Sequence, residues 1–391
     1  MKNKTINKFF RRIAAVLLVA VLVFSLAACG SKEADVTLPE KKVAILVAPE
    51  AQYPEDYKAA AELAEKYPDN VVVKEYSDSR ILRAGDAEII QYSRELAENE
   101  EIGAIIYARA TQFTTNAISA AKEINSNIVT VCIEPEESIN KLSDLADLVY
   151  CVDWAKATND IVTAAKEQGA KYFVVFSINR HIGENPLITA ENTAFKTACE
   201  AQGLTYIYDS SIDPIFSSGI AGAKKYIRES VARLYSNEKI VGSDVALFST
   251  DSSVQSTLVE VANERGLIYV CPSFPTAYNG AGEAYEITKP ESIFDVKTYI
   301  ENAAGIAAAD TEGKARICMY KFPLASTFLK AALYNAFDIL NGTITAENLA
   351  EKAIEKAKAV ADNKDFSVEA YSDTALTNTF MAYCPGFEKI K

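Results

Sequence analysis

The sequence predicts an α/β fold: two doubly wound, Rossmann-like parallel-sheet domains joined by a hinge. Three observations predict it. Short runs rich in β-branched residues alternate with amphipathic helical stretches from residue 42 to residue 320. The runs are apolar throughout, as strands covered on both faces must be. The alternation completes one unit near residue 153 and then starts again. About 350 residues are also more than one ordinary core organises. Alternating strands and helices imply right-handed crossovers within each unit.

The elements follow in order. VAILVA (43–48) leads to a helix over Tyr53–Tyr67, with Pro54 suited to a helix start. VVVKEY (71–76) precedes a helix over Asp86–Asn99, where Ile89, Ile90, Tyr92 and Leu96 keep helical spacing. IGAIIYA (102–108) precedes Phe113–Ile124, IVTVCI (128–133) precedes Ser138–Leu145, and LVYCVD (148–153) closes the first unit. The second unit opens with a helix over 155–168, ended by Gly169. KYFVVFS (171–177), LTYIYD (204–209), VALFST (245–250), LIYVC (267–271) and ARICMY (315–320) are its strands. Helices over 189–202, 219–235, 252–265 and 292–309 lie between them, with Gly203 and Gly266 as stops. Leu324–Leu340 and Ala346–Ala361 read as helices and 366–385 as mixed strand. The first of these carries Phe328, Leu329, Leu333, Tyr334, Phe337 and Leu340 and needs a core to bury against. The expected lobes are 41–153 plus 321–391, and 154–320.

The N-terminus has the layout of an export signal. Lys2, Lys4, Lys8, Arg11 and Arg12 precede sixteen residues, Ile13–Ala28, that are apolar except for Ser25. That core is shorter than the roughly 18–20 residues of a spanning helix. It ends Leu26-Ala27-Ala28-Cys29, which resembles the lipobox of bacterial lipoproteins. The resemblance implies cleavage after residue 28, lipidation of Cys29 and anchoring outside the cytoplasm by the acyl chains. Residues 29–40 are short, polar and aperiodic, as a tether is.

Net charge is −13 overall and −18 on residues 29–391 once the leader's five positive charges are set aside. With no basic face, nucleic acid is not an expected partner. Six further cysteines (132, 151, 199, 271, 318, 384) include no C-x-x-C pair, and several sit in apolar strands, where a thiol is a small buried hydrophobe. One histidine and no cysteine cluster argue against a metal site, and no cofactor is expected.

Ligands of open parallel sheets sit beyond the carboxyl ends of the strands. The candidate loops in the first unit are Pro49–Tyr53, Ser77–Arg80, Arg109–Gln112, Glu134 and Asp153-Trp154. Those in the second are Ser177–His181, Ser249–Ser253 and Pro272–Phe274. The candidate ligand contacts are Tyr53, Arg109, Gln112 and Glu134 from one side, and Ser177, Asn179, Arg180, His181, Thr250, Asp251 and Ser252 from the other. Arginine offers a planar fork of donors. Histidine offers a donor, an acceptor or a stacking face. Asp251 is equally a helix N-cap. Trp154, Tyr53 and Phe274 are aromatics that can stack on a ligand or simply pack.

Two similar α/β units with a lipobox resemble the type I periplasmic solute-binding proteins of ATP-driven importers. More narrowly, FSINRHIGENPLITAENTAFKTACEAQG (176–203) is similar to a stretch in a family of uncharacterised bacterial lipoproteins that carry Ser-Phe-Pro-Arg-His there. This chain has Ile178-Asn179 in place of Phe-Pro. FSTDSSVQSTLVEVANERG (248–266) resembles a second stretch of that family. The resemblance implies a two-lobed fold, a small-molecule ligand and Arg180 and His181 among its contacts.

Enzyme readings find little support. There is no G-x-S-x-G elbow, no phosphate loop and no G-x-G-x-x-G. A regulator on the same fold needs a DNA-binding head where the export signal stands. The expectation is a lipid-anchored, monomeric solute-binding protein that closes over a small polar ligand and delivers it to a membrane permease. A sensor for a signalling partner is the alternative, and a surface-anchored hydrolase a weaker one.

Overall fold

The computed structural model describes residues 36–77, 84–184, 186–215, 217–309, 314–372 and 375–391. The stretch read as an export signal, Cys29 and Arg80 lie outside the described residues. Two sheets organise the chain. The first contains β1 (Lys42–Val47), β2 (Val71–Glu75), β3 (Ile102–Tyr107), β4 (Val129–Ile133) and β5 (Leu148–Val152), with β11 (Ser367–Ala370) and β12 (Thr379–Tyr383) from the tail. Its order is β2-β1-β3-β4-β5-β12-β11. The second contains β6 (Tyr172–Ile178), β7 (Thr205–Ser211), β8 (Val245–Ser249), β9 (Ile268–Tyr269), β10 (Arg316–Tyr320) and β13 (Phe387–Lys389), in the order β7-β6-β8-β9-β10-β13. Pairing is parallel except at β11/β12 and β10/β13. Each sheet reverses its strand order once among its parallel strands, at β1/β3 and at β6/β8.

The helices of the first lobe are α1 (Pro54–Lys66), α2 (Ala84–Glu98), α3 (Thr114–Ile124) and α4 (Ile139–Leu145). Those of the second are α5 (Trp154–Glu167), α6 (Asn179–Glu184), α7 (Pro186–Gln202), α8 (Gly219–Ser236), α9 (Gln255–Arg265), α10 (Ala281–Ala284) and α11 (Val296–Ala309), with a 3-10 turn at Ser252–Val254. The tail supplies α12 (Leu324–Leu340) and α13 (Leu349–Ala361). Strands β3, β4 and β5 are buried at every residue. This is the two-sided cover that their uniformly apolar sequences require.

The apolar helix α12 lies on the first sheet. Phe328 stacks on Tyr150 at 5.8 Å, Asn335 donates to the Tyr150 hydroxyl at 2.7 Å, and Tyr334 meets the Tyr67 hydroxyl at 2.9 Å. In the second lobe Phe173, Phe195 and Phe248 form a ring cluster with centroids 4.5–6.3 Å apart. The six described cysteines are buried free thiols. No described helix is long and apolar enough to cross a membrane.

Several elements differ from the sequence reading. Residues 177 and 178 finish β6, and 179–184 are helical rather than loop. The helix expected from 292 starts at Val296, because Ser292 and Ile293 instead bond to Glu62 on α1. The tail does not stay on the first sheet: β13 pairs antiparallel with β10 in the second. Part of the supposed tether is pinned, since Asn70 and Asn341 donate to the carbonyls of Pro39 and Thr37, each at 2.8 Å.

Candidate functional site

The two reversal points bring four loops to one cavity. Behind β1 and β3 lie Gln52, Tyr53, Arg109, Thr111 and Gln112; behind β6 and β8 lie Arg180, Thr250, Asp251 and Ser252. The cavity holds about 120 Å³. Ligand sites of open sheets form at such points because adjacent loops diverge there.

Arg109 is 5% exposed. Its Nη2 and Nε donate to Asp56 Oδ2 on α1 at 3.1 and 3.3 Å. Its guanidinium carbon lies 4.7 Å from the Tyr53 ring and 3.7 Å from the Phe274 ring. Phe274 follows β9, so Arg109 is stacked between side chains of both lobes. Burial pushes the Asp56 carboxyl up, and Arg109 beside it pulls the other way. Losing either partner would leave the other charge buried and unpaired.

Glu134 follows β4 with φ at 46°, the left-handed region that a non-glycine residue enters only when held there. Its two oxygens accept from the Val152 N–H and the Trp154 Nε1–H, each at 2.8 Å. Trp154 opens α5, so the sole tryptophan serves first to orient Glu134. Burial pushes the Glu134 carboxyl up, against the pull of Arg109.

On the second lobe Arg180 Nε donates to Asp213 Oδ2 at 2.7 Å and its Nη2 to Oδ1 at 3.3 Å. A fork held in two places has its orientation fixed. Asp251 caps the 3-10 turn, with Oδ1 accepting from the Ser253 N–H and hydroxyl at 2.9 and 2.8 Å. Gln255 locks this loop from beneath, donating to the Ser249 and Asp251 carbonyls and accepting from the Tyr269 hydroxyl.

Of the residues expected from sequence, Tyr53, Arg109, Gln112, Glu134, Arg180, Thr250, Asp251 and Ser252 line the cavity, and Trp154 and Phe274 join them. Ser177 does not. It is fully buried in β6 and its hydroxyl meets Thr250 Oγ1 at 2.8 Å, one layer below. Asn179 does not either; its Oδ1 accepts from Ser210 at 2.8 Å on the outer side. The backbone of His181 lies in α6, and its side chain lies outside what is described.

The sequence reading missed others, among them Asp56, Asp213 and Glu191. Asp213 follows β7, a loop the strand-end rule would have included. Glu191, 2% exposed on α7, also lines the cavity. It lies inside a helix, and no spacing in the sequence marks it. Among the described residues no cluster of side chains could hold a metal ion.

The architecture is that of the type I periplasmic solute-binding proteins, two parallel-dominated α/β lobes around one cleft. The chain belongs to the family described as "Protein of unknown function (DUF3798)", whose model matches residues 41–317. An uncharacterised protein of Treponema pallidum (strain Nichols) is 20% identical over 208 residues, 53% of this chain and 94% of that one. Among solved structures, a Clostridium difficile 630 protein named as a transcriptional regulator superposes with a TM-score of 0.68 at 16% identity, covering 90% of this chain and all of that one. An ABC transporter solute-binding protein of Clostridium phytofermentas, with bound L-rhamnose, gives 0.52 at 11% identity over 91% and 96% of the two chains. At these identities the likeness is one of fold.

Proposed function

We propose that this protein is a lipid-anchored, extracytoplasmic solute-binding protein. It closes two lobes over a small polar ligand and hands it to the permease of an ATP-driven importer. The observation that carries this reading is the cavity itself. It lies where both sheets reverse strand order, and each lobe brings to it an arginine fixed by a buried carboxylate. Fixed donors suit recognition of a polar ligand without chemistry on it. The neighbour with bound L-rhamnose and a periplasmic ribose ABC transporter structure from Conexibacter woesei are of the same fold and support a sugar-, nucleoside- or vitamin-like ligand. Lobe closure follows the hinge mode of such proteins. Cys29 would carry the lipid, and the folded body works as a monomer.

A ligand that binds only the native state raises the melting temperature by mass action. The purified protein is therefore expected to melt higher with one class among sugars, nucleosides, amino acids and vitamins. A screen of all four without a shift would refute the reading. The fold neighbour named as a transcriptional regulator favours a second reading, a sensor whose closed form engages a signalling partner. Retrieval of a permease with the ligand-loaded protein separates the two.

A further inference from the structure

Two buried polar groups at the cavity, the neutral Thr111 hydroxyl and the Glu191 carboxyl, have atoms that their surroundings leave unanswered, and only the second can carry charge. Glu191 Oε1 is sealed from solvent and has no hydrogen-bond partner among the described residues. Buried polar atoms are nearly always paired, because an unmet one costs about 1–3 kcal/mol. An unpaired carboxyl at 2% exposure, bordering a cavity, therefore asks for a partner that enters from the cavity.

The charges around it indicate which kind. The two arginines of the lining are already engaged, Arg109 by Asp56 and Arg180 by Asp213, and neither of those carboxylates borders the main cavity. Beyond these pairs the cavity presents Glu134 from the first lobe and Glu191 from the second. Glu134 is held by two neutral donors, the Val152 N–H and the Trp154 Nε1–H, so no cation cancels it at hydrogen-bond distance. Apolar and aromatic groups complete the wall, with Trp154, Ile178, Leu187 and Phe274.

We infer that the ligand carries a positively charged nitrogen, and that Glu191 is the residue that receives it, with Glu134 across the cleft as the second carboxylate. The inference rests on the solute-binding reading and narrows it. The aromatic faces add attraction for the same charge. Burial, and next the Glu134 carboxylate, push the Glu191 carboxyl well above the ordinary range, so charge on it costs least with a cation alongside. Among the described residues Tyr206 and Cys271 also feel the Glu191 charge, and both are pushed up by burial.

The test uses the purified full-length protein and matched pairs: choline with 3,3-dimethylbutan-1-ol, which differ in charge alone, and putrescine with butane-1,4-diol and glucosamine with glucose, in which an ammonium replaces a hydroxyl. Any ligand found in the broad screen is added with its uncharged isostere. Melting temperature and calorimetric affinity are read for the wild type, Glu191→Gln and Glu134→Gln. The charged member of at least one pair is expected to bind roughly 30-fold or more tightly than its isostere. Glu191→Gln should collapse that ratio to about threefold or less while its own melting temperature stays at or above the wild type's. Should that variant fail to fold, Glu134→Gln must still lower the ratio. Equal binding of both members, or a screen that yields only neutral ligands, overturns the cationic inference and leaves solute binding standing. No shift with any compound overturns both.

Discussion

Glu55 on α1 accepts from the Ser326 N–H and hydroxyl at 2.9 and 2.6 Å and from the Thr276 hydroxyl at 2.5 Å. Thr276 follows β9 and Ser326 opens α12, so one carboxyl at 2% exposure ties three segments together. Burial outweighs these donors and pushes its pKa up from 4.5 to about 7. The folded state thus holds this proton more tightly than the unfolded state does. The resulting stability is fully present below the unfolded value near 4.5 and is lost as the pH rises through about 7; it amounts to about 3 kcal/mol. Urea unfolding of wild type and Glu55→Gln between pH 5 and 8 checks it. The wild type should lose stability relative to the variant as the pH rises, and parallel curves would show that Glu55 does not titrate there. At this scale the sequence was only partly legible. Arg109, Glu134 and Arg180 were found because strand ends mark loops. Asp56, Glu55 and Glu191 were not, because they lie inside helices where no local spacing marks them, whereas Asp213 follows β7 at a strand end that the same rule covers.

Among elements, the segment between β9 and α11 behaves as a strap. The sequence suggested a helix beginning at 292, yet residues 287–295 stay irregular because α1 and the loop before it offer them better partners. Glu62 accepts from the Ser292 hydroxyl at 2.8 Å and the Ile293 N–H at 2.5 Å, and Glu50 pairs with Lys289 at 2.5 Å. The Lys289 pair is about one third exposed and contributes little. The Glu62 bonds include a main-chain donor that loses its acceptor if the side chain is removed. Glu62→Ala is expected to cost about 1–3 kcal/mol and to speed amide exchange over 287–295. Exchange unchanged over that stretch would show that Glu62 does not hold the strap. Gly280 fixes where the strap begins its turn. Its φ of 68° favours glycine, and a Cβ there would meet the Tyr269 hydroxyl at 2.0 Å.

At the scale of the molecule the chain passes between the two sheets three times, after β5, after β10 and after β12. The third passage is held by Asp160, whose Oδ2 accepts from the Tyr383 hydroxyl at 2.8 Å and the Gly386 N–H at 2.9 Å. It delivers β13 to the edge of β10 and buries Ile390. Ending the chain after residue 385 should cost about 2–4 kcal/mol, from one buried isoleucine and the lost edge pairing. The urea midpoint reports it, and an unchanged midpoint would mean that the second sheet does not depend on its last strand. The sequence by itself determined the class of the fold, since apolar strands and amphipathic helices carry their periodicities locally. It also marked most of the loops that reach the cavity. Tertiary structure alone decided which side chains face that cavity, which arginine each carboxylate holds, and where the last strand pairs. Those outcomes depend on contacts between residues far apart in the chain, and no local pattern encodes a distant partner.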